Sequence, residues 1–259
     1  MILPKITKLQ LNLTTQLFSF RYFTRLQFQN YLGHKTKRQI NRHLKILKEK
    51  GYIRKVKGEG GLGYQDKAIY TLGPTGIRLM RQLRDLTHEQ IKNRYKDPTW
   101  TQTLIDHQLL LVEIFLQLKK EAQQENINLT FQTKQDFEER SVFEMLHPDA
   151  FFIKEKEEIR HYFFEIIDPN TPSLISRRRI RSYVKYFLNN SIEVETGQNY
   201  PTVIIICPKE SIQTKLLNYA AQYMDEQGAE NMVLKATTKK QVIDSGVTSD
   251  IWTRATKED

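Results

Sequence analysis

Apolar residues recur with a helical period over residues 36–50. Ile40, Leu44 and Leu47 are spaced i, i+4 and i+7, which places them on one face of a helix with 3.6 residues per turn. The rest of this predicted helix is basic or carries an amide. Its polar surface comprises Lys37, Arg38, Asn41, Arg42, Lys45 and Lys48.

Flanking signals place this helix third in a small domain. Thr36 followed by Gln39 predicts a capping box at its start, and Gly51 lies where such a helix would end. The neighbouring patterns predict helices over residues 6–18 and 24–32, strands over 52–57 and 67–72, and a Gly-rich turn over 58–63. Three helices followed by a hairpin predict a winged helix-turn-helix, in which the third helix is the candidate for the DNA major groove.

The polar residues of this predicted domain suit two kinds of DNA contact. Asn41 and Arg42 lie mid-helix, where an Asn pairs well with adenine and an Arg with guanine. Lys55, Lys57 and Lys67 flank the Gly-rich turn, and we expect them to contact the DNA backbone or the minor groove. We therefore predict double-stranded DNA as the partner.

Charge is distributed unevenly along the chain. Residues 1–100 contain 21 Lys and Arg against 6 Asp and Glu, a balance of +15. Residues 101–259 contain 19 against 24, a balance of −5. Since nucleic-acid affinity rests mostly on neutralising phosphates, the charge supports DNA binding by the first part of the chain.

The second part of the chain alternates between helical and strand patterns. Pro98 disfavours helix at Asp97, so residues 96–99 are the predicted linker and the predicted domains are residues 1–97 and 98–259. Helices are predicted over 75–86, 87–95, 101–124, 173–188 and 211–224, and strands over 129–133, 150–153, 161–167, 202–206 and 232–237. This order predicts an α/β domain built on one mixed sheet, and a two-domain α+β protein overall.

Composition excludes several classes of protein. The longest apolar runs are too short for a membrane span, and the first residues lack the features of a signal peptide. Cys207 is the single cysteine, so no internal disulfide can form and a cytoplasmic location is expected. The six histidines show no zinc-ligand spacing, and no cofactor is expected unless the acidic pair described next binds Mg²⁺.

Two acidic residues lie at the ends of predicted strands. Asp149 follows Pro148 before one strand, and Glu165 lies near the end of the next. This order resembles the PD-(D/E)XK nucleases, which implies a restriction-endonuclease-like domain with these two carboxylates as catalytic residues and Mg²⁺ ligands. The motif lysine is replaced by Ile167. A basic residue from the following helix could replace it, and the candidates are Arg177, Arg178, Arg179, Arg181 and Lys185.

The combined pattern resembles the replication-relaxation family. The first half supplies the basic helix followed by Gly51-Tyr-Ile53 and the hairpin end Ile69-Tyr-Thr-Leu-Gly-Pro-Thr-Gly76. The second half supplies His147-Pro-Asp-Ala-Phe-Phe152, Phe163-Phe-Glu-Ile-Ile-Asp168 and Arg179-Ile-Arg-Ser-Tyr-Val-Lys-Tyr186. The resemblance implies a bacterial protein of plasmids or integrative elements, associated with plasmid replication or with relaxation of transfer DNA.

Three functions follow from these expectations. We favour a sequence-specific DNA-binding protein of a mobile genetic element, acting as an accessory or regulatory factor with an inactive nuclease-like domain. The second is a Mg²⁺-dependent DNA endonuclease with a displaced basic residue. The third is an assembly module that recruits a relaxase, a replicase or a transposase. A homodimer is a further expectation, because the first helix and residues 101–124 could each supply an interface.

Overall fold

The computed structural model describes residues 3–34, 36–56, 68–84, 86–136, 146–189 and 200–257. The chain divides into two compact units, Met1–Leu116 and Gln117–Asp259. In both units helices accompany β-strands, so the protein has a mixed α+β fold. The division falls within a long helix, whereas the boundary predicted at residues 97 and 98 lies before that helix.

The first unit contains most of the helices predicted for it. They are α1 (Lys8–Phe20), α2 (Arg25–Leu32), α3 (Lys37–Glu49), α4 (Pro74–Leu83), α5 (His88–Lys96) and the start of α6 (Gln102–Glu125). Capping boxes start α1, α2 and α5, in which a threonine pairs with a glutamine three residues later. The capping box predicted for α3 is wrong, because the Thr36 side chain caps no backbone N–H.

Three short strands accompany these helices within the described residues. They are β1 (Phe23–Thr24), β2 (Ile53–Val56) and β3 (Ile69–Leu72), arranged in the order β1-β3-β2 with antiparallel pairing. The pairing of β2 with β3 confirms the two predicted hairpin strands, and the predicted turn over 58–63 lies outside the described residues. Gly51 ends α3 with a φ of +71°, a left-handed conformation that glycine adopts without strain.

A buried ion cluster lies where the linker was predicted. Asp97 begins a 3₁₀ turn (Asp97–Thr99), and its side chain is completely buried. Its carboxylate accepts a hydrogen bond of 2.6 Å from Arg21 and lies 3.7 Å from Arg94. The hydroxyl of Tyr22 donates to the backbone carbonyl of Asp97. Residues 96–99 are therefore a packed part of the first unit and not an exposed linker.

The second unit is built on a mixed sheet. Within the described residues, six strands follow the order β4-β5-β6-β7-β8-β9, with β6, β7 and β8 parallel and the other neighbours antiparallel. The strands are β4 (Asn128–Thr133), β5 (Ala150–Glu155), β6 (Ile159–Ile166), β7 (Thr202–Cys207), β8 (Leu234–Thr238) and β9 (Thr253–Arg254). The helices are α7 (Ser173–Leu188), α8 (Glu210–Glu226) and α9 (Lys239–Ser245).

The parallel strands need crossovers, which α7 and α8 provide. One sheet face packs against these two helices in a core that includes Phe163, Val203, Ile180 and Leu217. The opposite face of β5 carries Lys154, which pairs at 2.5 Å with Glu121 near the end of α6. None of the helices that the structure describes is both long enough and apolar enough to cross a membrane.

We expect Asp97→Ala to destabilise the protein by about 3–5 kcal/mol, because the change leaves two buried guanidinium groups without their counter-charge. The free energy of unfolding in urea measures this loss. Glu49→Ala is the control, since its pair with Lys45 at 3.9 Å is exposed and should be worth at most about 1 kcal/mol. Equal losses for the two variants would contradict a structural role of the ion cluster.

Candidate nucleic-acid interface and carboxylate cluster

Helix α3 separates its apolar residues from its basic ones. Ile40, Leu44 and Leu47 are buried in the core of the first unit, with exposures of 0%, 3% and 0%. The predicted DNA-contacting side chains of α3 all lie in the exposed class, and they are Lys37, Arg38, Asn41, Arg42, Lys45 and Lys48. The helical period therefore presents them together on the solvent side of one helix.

Little of the positive charge of α3 is neutralised by the protein. Among the described residues, the ion pair formed by α3 is the one between Lys45 and Glu49, whose side chains are 77% and 62% exposed. Ion pairs this exposed are weak. The remaining cations create an outward positive potential of the kind that attracts phosphate groups.

The predicted hairpin lysines are placed only in part. Lys55 lies on β2 with its side chain exposed. Lys57 and Lys67 lie outside the described residues. The structure therefore brings one of these three lysines to the surface of the first unit.

The sheet of the second unit brings the two acidic residues together. Because β5 and β6 are antiparallel, with Ala150 opposite Phe164, the start of β5 lies beside the end of β6. Asp149 directly precedes β5, and its Oδ2 accepts a hydrogen bond of 2.8 Å from the backbone N–H of Ile166. Glu165 is the neighbour of Ile166 on β6, so the two carboxylates lie on adjacent strands as the sequence motif predicts.

Helix α7 supplies two further residues to this cluster. Arg179 Nη2 lies 2.7 Å from Glu165 Oε1 and 2.9 Å from Oε2. Tyr183, one helical turn later, donates a hydrogen bond of 2.5 Å to Oε1. Arg179 also donates to the backbone carbonyls of Leu146 and His147, at 2.5 and 2.9 Å. Both Glu165 oxygens are therefore occupied by groups of this chain.

Burial controls the protonation of Glu165. Its side chain is 9% exposed, and removal from water raises its pKa to about 7. The charge of Arg179 opposes this rise, the charge of Asp149 adds to it, and the hydrogen bonds from Tyr183 and Arg179 favour the ionised form. Burial also raises the pKa of Tyr183 well above its ordinary value, so its hydroxyl stays a donor to Glu165.

This arrangement does not fit a magnesium ion. A divalent cation needs free carboxylate oxygens, whereas those of Glu165 are bound by a guanidinium and a phenol. The positive charge of Arg179 occupies the side of Glu165 that a metal would approach. Across the described ranges, no group of three or more His, Cys, Asp or Glu side chains is arranged to hold a metal ion.

The sequence identified part of this cluster. Asp149 and Glu165 were predicted, and Arg179 was one of five basic candidates on the following helix. The structure brings Arg179 alone of these to Glu165 and leaves Arg177, Arg178, Arg181 and Lys185 exposed. Tyr183 was missed. Its spacing of i+4 from Arg179 places both on one face of α7 and is the signal that could have found it.

Comparison with known proteins gives one result for the whole site. The model of the replication-relaxation family matches residues 15–202, well over half of the chain. The matched range includes α3 and all four residues of the carboxylate cluster, Asp149, Glu165, Arg179 and Tyr183. No curated protein matches the chain.

We predict that Glu165 makes folding stability depend on pH. Its pKa is raised from 4.5 to about 7, so the folded protein binds this proton more tightly than the unfolded chain. The contribution is complete below pH 4.5 and is lost as the pH rises towards 7, by an amount on the order of 3 kcal/mol. Glu165→Gln cannot ionise and should lack this dependence.

The measurement is the free energy of unfolding of the wild type and of Glu165→Gln between pH 4.5 and 8. The difference between the two proteins should shift in favour of the variant as the pH rises. Glu158→Gln is the control, because Glu158 is exposed and pairs with Arg160 in solvent. Parallel curves for wild type and Glu165→Gln would show that Glu165 keeps the same pKa in both states.

Proposed function

The chain belongs to the replication-relaxation family, and on that premise we propose that it is a sequence-specific double-stranded DNA-binding protein of a mobile genetic element. In this proposal the first unit binds DNA, and the protein acts as an accessory or regulatory factor in replication, transfer or mobilisation. The family gives the role in replication or mobilisation of mobile elements its support.

The exposed basic surface of α3 carries the proposal. A helix whose apolar side is fully buried is held rigidly, so its opposite side can enter the major groove without rearrangement. That side presents Asn41 and Arg42 to base edges, and lysines at both ends to phosphates. No acidic side chain of α3 other than Glu49 opposes this approach.

The element order of the first unit supports a winged helix-turn-helix. Helices α1, α2 and α3 precede the antiparallel strands β2 and β3, and β1 pairs with β3 on the other side. In this arrangement β2 and β3 form the wing, and Lys55 is placed to contact the DNA backbone. Lys57 and Lys67 are proposed to do the same.

The second unit favours a non-catalytic role in this proposal. Its adjacent carboxylates resemble the nuclease motif, and Arg179 is a basic residue that reaches Glu165 from the following helix. This contact is the observation that favours the alternative, a DNA endonuclease with a displaced basic residue. The occupied oxygens of Glu165 argue against it, and recruitment of a mobile-element protein is a further role that the unit could fill.

We predict that Arg42 reads a base. Arg42→Ala should weaken binding to a specific site by about 1–3 kcal/mol and binding to random duplex by much less. Binding sites selected from a random library, followed by titration of selected and random duplexes, measure both. Arg81→Ala on α4 is the matched control, since Arg81 is also exposed. Equal losses on both duplexes would limit Arg42 to phosphate contact.

We predict no cleavage of supercoiled plasmid by the protein in Mg²⁺ or Mn²⁺, because Glu165 is bound by Arg179 and Tyr183. Gel analysis of plasmid topology tests this. Asp149→Ala should also retain DNA binding, as should Asp250→Ala, a change at an exposed acid of the same unit. Cleavage by the wild type and by Asp250→Ala that disappears in Asp149→Ala would establish the endonuclease instead.

A further inference from the structure

Helix α7 has a composition that its fold does not require. Its 16 residues include five basic side chains and no acidic one. Arg179 is used in the carboxylate cluster, but Arg178, Arg181 and Lys185 are exposed and lie opposite the buried face formed by Ile180, Tyr183 and Val184. We call Arg178, Arg181 and Lys185 the α7 basic row.

The row is unfavourable for the isolated helix. Arg178 and Arg181 are spaced i, i+3, and Arg181 and Lys185 are spaced i, i+4, so like charges are neighbours on the helix surface and destabilise it. In the part of the chain that the structure describes, none of the three forms an ion pair with an acidic side chain. Folding of the second unit therefore gains nothing from these charges, which indicates a negatively charged partner outside the unit.

The surroundings of the row extend this surface towards α8. Arg177 lies with its guanidinium 4.9 Å from the centre of the Tyr219 ring, and Tyr219 stacks on Tyr223 with 5.9 Å between ring centres. Cations beside partly exposed aromatic rings are typical of surfaces that bind nucleic acid. The second part of the chain is acidic as a whole, so general positive charge does not account for this surface.

We propose that the α7 basic row is a second nucleic-acid contact, which binds the phosphate backbone through Arg178, Arg181 and Lys185. The three side chains span about 10 Å along the helix, a length suited to several successive phosphates. A membrane surface fits less well, because the apolar face of α7 is buried in the core and is not available to lipid. The inference rests on the proposed DNA-binding function and extends it to the second unit.

The test uses the full chain carrying Arg178→Gln, Arg181→Gln and Lys185→Gln together. Glutamine keeps helix propensity and removes charge, so thermal stability should be equal to or above that of the wild type. For random duplex DNA, the slope of log affinity against log salt should decrease by about 0.9 for each lost phosphate contact, up to about 2.7. With a single-stranded oligonucleotide the decrease should be about 0.7 for each contact.

A control variant removes the same net charge elsewhere in the second unit, through Lys209→Gln, Lys239→Gln and Lys240→Gln. It should keep the wild-type slope. An α7 variant with the wild-type slope, or a control variant with the same decrease, would overturn the proposal. The strand type that shows the larger decrease identifies duplex or single-stranded nucleic acid as the preferred form.

A third variant, with Lys37→Gln, Arg42→Gln and Lys45→Gln on α3, separates this proposal from the previous one. Loss of DNA binding in the α3 variant together with a wild-type slope in the α7 variant would overturn only the α7 contact. Unchanged binding in the α3 variant together with a loss in the α7 variant would overturn only the role of α3. Binding to phosphatidylserine vesicles that depends on the row, without an effect on DNA, would overturn the nucleic-acid assignment.

Discussion

The guanidinium of Arg179 is the contact on which the carboxylate cluster of the second unit depends. It binds Glu165 at the end of β6 and the carbonyls of Leu146 and His147 before β5. One side chain of α7 therefore joins two strand ends and the crossover helix. A planar group with five fixed donors can make all these contacts at once, which an ammonium cannot do with the same geometry.

This contact also decides what chemistry the cluster can perform. Glu165 is buried, and its charge is compensated by Arg179 and a hydrogen bond from Tyr183. A buried ion pair of this kind is stable only while both partners remain, since either one alone would be an unpaired buried charge. Metal binding would have to displace Arg179 and so would disrupt the strand ends that Arg179 holds. The residues of a nuclease-like motif thus take a structural role in this arrangement.

Sequence periodicity predicted most of the fold because it reports burial within one element. The apolar spacing of α3 and the continuous apolar run of β7 each follow from the element's own geometry. The burial of Asp97 could not be predicted in this way, because its partner Arg21 lies far away along the chain. The short strands β1 and β9 also lack a pattern of their own, since two residues show no period.

The same limit applies to the candidate sites, where residue type alone does not assign a role. Arg178 and Arg179 are neighbours in sequence, yet one is exposed and the other binds a buried glutamate. What separates them is the position of each relative to the apolar face of the helix. Arg179 lies one turn before the buried Tyr183, whereas Arg178 lies on the opposite side. On α3 no basic residue shares the apolar face, so all its cations remain available to a ligand, and the helical phase of each arginine therefore predicts whether it serves the fold or a partner.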